Sequence, residues 1–260
     1  MTIAFRGLAA LTLCASLAAV TGCENAPGYP RAVEVDRPEH QLDFHTLYSQ
    51  NCSGCHGNNG RGGASMPLNN PAYLAIAGAD HLRAAASKGV KGTLMPAFAA
   101  SSSGMLTDQQ IDVIVQGIMR EWSRPSAVAG DALPPWAVGP GNAADGASVY
   151  QAACARCHGV DGTGNKTAGH SIVDTAYLGL VNDQTLHTVI AAGHPENSTP
   201  DWRSYLGGGR ALTAQQIDDL VAWLAAHRAT ASTAALSGSP AGVAASASPS
   251  MTPSIRKEKP

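Results

Sequence analysis

The chain is poor in the residues that usually fill a core or cover a surface. Of 260 residues only 14% are charged and 5% are aromatic, both low for a globular protein. Seventeen basic residues face nineteen acidic ones, a net charge of -2. Without a positive excess there is no electrostatic footprint for nucleic acid or for an anionic membrane surface, so a nucleic-acid role is excluded. The most apolar stretch, Leu8 to Val20, is too short to span a bilayer. No alternating strand pattern appears, and no methionine lies between Met119 and Met251. Glycine (28) and proline (16) are plentiful. Small domains of this composition lack bulk to bury, and either stay marginal or are completed by disulfides, a metal or a large apolar cofactor.

The apolar stretch follows a single positive charge, Arg6, and ends in Val20, Thr21, Gly22, Cys23. It reads as an export signal, and its end resembles the lipobox of bacterial lipoproteins. That resemblance implies a signal peptide over residues 1–22, lipidation of Cys23, and a periplasmic protein anchored to the membrane by lipid. Pro27, Gly28, Pro30 and Pro38 then make residues 23–39 a flexible stalk.

Six cysteines in an exported chain would suggest three disulfides, but Cys14 leaves with the leader and Cys23 carries lipid. The other four stand as Cys52, Cys55 and Cys154, Cys157, each pair followed directly by His56 or His158. Two thiols three apart on a helical turn can add to both vinyl groups of one haem, and the next residue then lies under the iron. A zinc site would need further ligands at suitable spacing, and a redox dithiol does not need the trailing histidine.

The surroundings of the two motifs repeat. Leu47, Tyr48 before the first and Gly57, Gly60, Gly62 after it answer Val149, Tyr150 and Gly159, Gly162, Gly164. Asn70 to Leu74 answers Asp174 to Leu178, and Gly89 answers Gly193. Leu106 to Asp112 answers Leu212 to Asp218, each a capping box before an amphipathic run. Ile111, Ile114, Val115, Ile118, Met119 and Trp122 recur at helical spacing, as do Ile217, Leu220, Val221 and Leu224. Each copy reads as an N-terminal helix entering the motif, a Gly-rich loop, a middle helix stopped by Gly89 or Gly193, a loop and a C-terminal helix.

On these motifs both halves resemble class I cytochrome c domains. The resemblance implies an all-α fold of two tandem domains, 40–122 and 142–228, joined by a Pro-rich extended connector, 123–141. Residues 229–260, rich in Ala, Ser and Pro, read as a disordered tail. Two covalently attached haem c groups are implied, held by Cys52, Cys55, His56 and by Cys154, Cys157, His158, and supplying the apolar body that aromatics do not.

The same resemblance places an axial methionine between the middle and last helices, where Met95 stands. The matching residue of the second copy is Thr199, and no sulfur ligand is available there. His170, His187, His194 and His227 are the alternatives: His170 aligns with Met66 in the proximal loop, His187 and His227 lie in helical runs, and His194 is nearest to Thr199. Imidazole is a good haem ligand, but Gly193 and Pro195 restrict the backbone, so a hydrogen bond from His194 to a propionate competes with ligation. The expected function is an electron carrier with no catalytic residues, working between a quinol-oxidising complex or dehydrogenase and a terminal oxidase or reductase. A peroxidase-like enzyme or a small-gas-binding protein using an open second haem is the alternative.

Overall fold

The computed structural model describes residues 37–165, 169–207 and 210–237. Both repeats lie within one compact unit that begins at Asp43. Its helices are α1 (Phe44–Asn51), α2 (Ser53–His56), α3 (Pro71–Lys88), α4 (Asp108–Trp122), α5 (Ala143–Ala153), α6 (Ala155–His158), α7 (Thr175–Leu180), α8 (Asp183–Ala192) and α9 (Ala214–Ser237). Among the described residues there is no strand, only isolated bridges. The fold is all-α with tandem repeats.

The helices begin where polar side chains can accept the unpaired first N–H groups. Asp43 accepts from the Thr46 amide at 2.8 Å, and Asn142 from the Ala144 amide at 2.8 Å. Both capping boxes form: Thr107 and Gln110 exchange bonds of 3.0 and 3.2 Å, Thr213 and Gln216 bonds of 2.9 and 3.2 Å. These boxes aim the apolar faces of α4 and α9 inward. Ile111, Ile114, Val115 and Ile118 are buried, as are Ile217, Leu220, Val221 and Leu224. Each such side chain contributes about 1.5–3 kcal/mol through area removed from water.

In each repeat the N-terminal helix crosses the C-terminal one, α1 on α4 and α5 on α9. The crossing is close enough that one residue has no room for a side chain. In the first repeat that residue is Gly117 on α4, and an added Cβ would strike the Phe44 ring of α1. The second repeat reverses the arrangement. Its glycine is Gly146 on α5, in the register of Phe44, and an added Cβ would strike the Asp219 carbonyl, with the Cβ of Trp223 at 2.9 Å. Trp223 in turn occupies the register of Gly117. The aromatic and the glycine have changed helices. Tyr48 meets Trp122 edge-on at 5.0 Å, whereas Tyr150 stacks on Trp223 at 4.1 Å.

Four expectations need correction. The middle helix is not continuous: Gly78, at φ 64° within α3, breaks it, and in the second repeat α7 and α8 are separate helices with Asn182 capping the latter. A left-handed residue turns the chain by an amount no helix absorbs. The connector is not extended throughout. Pro125–Val128 forms a 3-10 turn with Val128 buried, and Trp136 lies 4.8 Å from the His81 ring and 6.2 Å from Tyr73. Its carbonyl accepts from Gln184 at 2.7 Å, so the connector is fastened to both repeats. The helix read as ending at Arg228 continues as α9 to Ser237, because the Ala-rich sequence there still favours helix and the first breakers are Gly238 and Pro240. Finally, Pro38–His40 forms a 3-10 turn at the end of the segment read as stalk. The signal peptide, Cys23 and the tail beyond residue 237 lie outside the described residues.

The reversed crossing predicts unequal rescue. Gly117→Ala should destabilise by about 1–3 kcal/mol, as overpacking does, and Phe44→Leu should restore much of that loss, because a side chain is the obstacle. Gly146→Ala should cost as much and gain nothing from Trp223→Leu, because the obstacle is a backbone carbonyl. Thermal unfolding of the four variants measures this, and equal rescue in both repeats would refute it.

Candidate haem sites

The CxxCH segments sit on matching one-turn helices. Cys52 follows α1 directly, its amide bonded to the Tyr48 carbonyl at 2.8 Å, and the His56 amide returns to the Cys52 carbonyl at 3.0 Å. Cys154, Tyr150 and His158 repeat these two bonds at 2.8 and 3.0 Å. Tyr48 donates its hydroxyl to the Gly57 carbonyl at 2.9 Å, and Tyr150 does the same to Gly159. The tyrosines therefore tie each motif's exit to the helix that enters it.

The proximal histidines are oriented by the loop that follows. His56 Nδ1 lies 2.8 Å from the Met66 carbonyl, and His158 Nδ1 2.8 Å from the His170 carbonyl. A carbonyl only accepts, so Nδ1 carries the proton and Nε2 keeps its lone pair. A bond of this kind sets tautomer and ring orientation in metal-binding histidines. Burial also holds His56 below its ordinary value, favouring the neutral ring that can ligate. Burial, reinforced by the neighbouring thiol, pushes Cys52 and Cys154 up to about 12. That direction is opposite to the depressed value of a reactive thiol. Paired thiols and a tautomer-locked histidine fit a covalently attached haem.

The distal loops also correspond. The Val90 amide donates to the Met95 carbonyl at 3.0 Å, and the His194 amide to the Thr199 carbonyl at 3.0 Å. Each loop then rejoins its helix layer: Leu106 donates to Phe98, and Leu212 to Trp202, both at 2.8 Å. Gly89 admits the backbone of residues 95–97, and Gly193 that of 200–201, where a Cβ would not fit. Thr199 thus stands in the register of Met95. The Thr199 amide also bonds the His194 carbonyl at 3.1 Å, so both backbone groups of His194 are tied down. Its Nδ1 is buried without a hydrogen-bond partner.

Of the other histidines, His170 contributes its carbonyl to the proximal side while the residue is exposed. His227 bonds the Trp223 carbonyl at 2.9 Å within α9. His187 on α8 is 1% exposed, with Nε2 3.7 Å from Asp218 on α9. The aligned pair in the first repeat is Arg83 with Asp112. An acid on the last helix faces a base on the middle helix in both copies, but only in the second is the base a buried histidine. The repeated tyrosines were visible in the sequence; the Met66 and His170 carbonyls were not, because a main-chain acceptor leaves no residue signature.

The fold and its paired sites define a c-type cytochrome with two domains, a class that carries covalently bound haem c and transfers electrons. Residues 42–116 and 141–224 match the family model described as cytochrome c oxidase, cbb3-type, subunit III. These segments are more than half of the chain, and the chain belongs to that family. No curated protein sequence matches it significantly.

His187 gives a prediction with a sign. Burial lowers its pKa from 6.5, with Asp218 pulling the other way. The unfolded chain therefore takes up a proton that the folded chain resists, and stability falls as the pH drops below 6.5, levelling off below the folded value. Melting temperatures measured across this range should decline less steeply for His187→Gln than for the wild type. Parallel slopes would assign the acid sensitivity to other groups.

Proposed function

We propose that the chain is a bacterial di-haem electron carrier, exported to the periplasm and tethered to the membrane by lipid on Cys23, with one haem c in each repeat. The observation that carries this reading is the duplicated proximal assembly: paired thiols, and a histidine bonded through Nδ1 to a loop carbonyl at 2.8 Å in both copies. Bound there, haem c supplies a one-electron ferric–ferrous couple. Cys52 and Cys55, or Cys154 and Cys157, anchor it, and His56 or His158 presents Nε2 to the iron. Met95 adds a soft thioether, which favours the ferrous form and makes the first site the higher in potential. Low net charge and a surface tether suit a shuttle between membrane complexes. Its donor is a quinol-oxidising complex or dehydrogenase, its acceptor a terminal oxidase or reductase. The family's name supports an oxidase as acceptor. Among the described residues no helix is long and apolar enough to cross a membrane.

In cells that attach haem c, the membrane fraction should contain this chain with the mass of two haems, and Cys23→Ser should move it, equally loaded, to the soluble fraction. Haem-stained electrophoresis and intact mass read both results. A wild-type chain bearing one haem, or a Cys23→Ser chain that still sediments, would refute the corresponding half.

A second reading has its own observation, the threonine in the methionine register. A neutral hydroxyl is a poor iron ligand, so the second site is open or weakly closed, as a peroxidase-like or gas-binding haem requires. The buried, unpaired Nδ1 of His194 and its immobilised backbone suit a hydrogen bond to a propionate better than a swing onto iron. Carbon monoxide should then bind one ferrous haem per chain, and Thr199→Met should suppress that binding. If His194→Ala instead opens a sealed haem, His194 is the ligand. Negligible peroxide turnover by the reduced protein would leave electron transfer or gas binding.

A further inference from the structure

Two asparagines each serve both repeats. Asn70 accepts through Oδ1 from the amides of Ala72 at 2.9 Å and Tyr73 at 3.4 Å, capping α3. Its Nδ2 donates across to the Ala192 carbonyl at 2.9 Å and the Gly193 carbonyl at 3.2 Å, where α8 ends and the second distal loop begins. Asn182 does the converse. Its Oδ1 accepts from the Thr185 amide at 2.8 Å, capping α8, while Nδ2 donates to the Lys91 carbonyl at 2.7 Å, inside the first distal loop.

The residues aligned with these two cannot copy the second role. Asp174 stands opposite Asn70 and caps α7 through the Tyr177 amide at 2.9 Å, but a carboxylate has no N–H to give. Gly78 stands opposite Asn182 and has no side chain at all. The double-ended asparagines therefore follow the contact between the repeats, not the repeat itself. A third bond joins the same region: the Gly62 amide, in the first proximal loop, donates to Glu196 Oε1 at 2.7 Å. With Asn70 it brackets His194. A crevice of about 390 Å³ opens beside these bonds, with Arg61, Asn70 and Glu196 among its lining residues.

We propose that the two haem sites are cross-clamped: Asn70 and Glu196 position the distal loop of the second haem from the first repeat, and Asn182 positions that of the first haem from the second repeat. The proposal rests on the reading of one haem per repeat with distal loops after Gly89 and Gly193. Distal coordination at each iron then depends on the domain that does not bind it.

Aspartate separates the two roles of each asparagine. It keeps the oxygen that caps the helix, where a negative charge is favoured, but turns the cross-domain donor into an acceptor facing a carbonyl. In the full-length haem-loaded protein, Asn70→Asp should change carbon monoxide association, or the ferric spectrum, at the second haem by about fivefold. It should leave the methionine–iron band and potential of the first haem unaltered. Asn182→Asp should weaken that methionine band and leave carbon monoxide kinetics alone. Glu196→Ala, at an exposed position that folding tolerates, should reproduce the direction of Asn70→Asp, and Asp174→Asn should change neither haem. If the wild-type second haem is sealed, its opening by Asn70→Asp or Glu196→Ala supports the clamp, and its remaining sealed opposes it. Changes confined to the haem of the substituted repeat, or changes below about twofold at both, would overturn the proposal. Haem content is measured first: a wild-type chain with a single haem would refute the two-haem reading itself.

Discussion

The close crossing of the first and last helices in each repeat is the contact from which the rest is built. It requires a residue without a side chain, Gly117 in one copy and Gly146 in the other, and an aromatic against it or beside it. The crossing packs Tyr48 on Trp122 and Tyr150 on Trp223. Those tyrosines hold the Gly57 and Gly159 carbonyls, and so the exits of the two CxxCH turns. From there a short loop returns a carbonyl to His56 or His158. A chain this poor in aromatics places several of the few it has at these crossings, where packing holds the residues that support a site in place.

The repeats preserve geometry while exchanging chemistry. An aromatic–glycine pair changes helices, Arg83–Asp112 becomes His187–Asp218, and Met95 becomes Thr199. The first two exchanges keep a contact by other means. The third does not, since no second-repeat residue brings an equivalent sulfur. One copy thus carries a thioether in its distal loop, while the other keeps the loop with a hydroxyl in that register.

The repeats are also less separate than their tandem order suggests. Trp136 of the connector packs on Tyr73 and His81, its carbonyl is held by Gln184, and Arg203 reaches Asp131 at 2.7 Å and the Ala127 carbonyl at 2.8 Å. A proline-rich stretch with little side-chain entropy to lose is easily fastened in this way. Apolar packing and hydrogen bonds share this contact, and two of its side chains, Asn70 and Asn182, also serve as helix caps.

By itself the sequence determined the chemistry and the repeat. The CxxCH turns, both capping boxes, the apolar stripes of α4 and α9 and the absence of a second methionine ligand are local or periodic features, written in residue identity and spacing. It also marked Thr199, because alignment within the chain needs no structure. Only the tertiary structure decided which main-chain carbonyls orient His56 and His158, that Gly78 breaks α3, that α9 runs to Ser237, and that His187 is buried against Asp218. It alone showed Asn70 and Asn182 reaching across the interface. The physical reason is the same in each case. A main-chain acceptor has no letter of its own, and a side chain that caps its helix with one atom and joins another domain with the next reads in the sequence only as a cap.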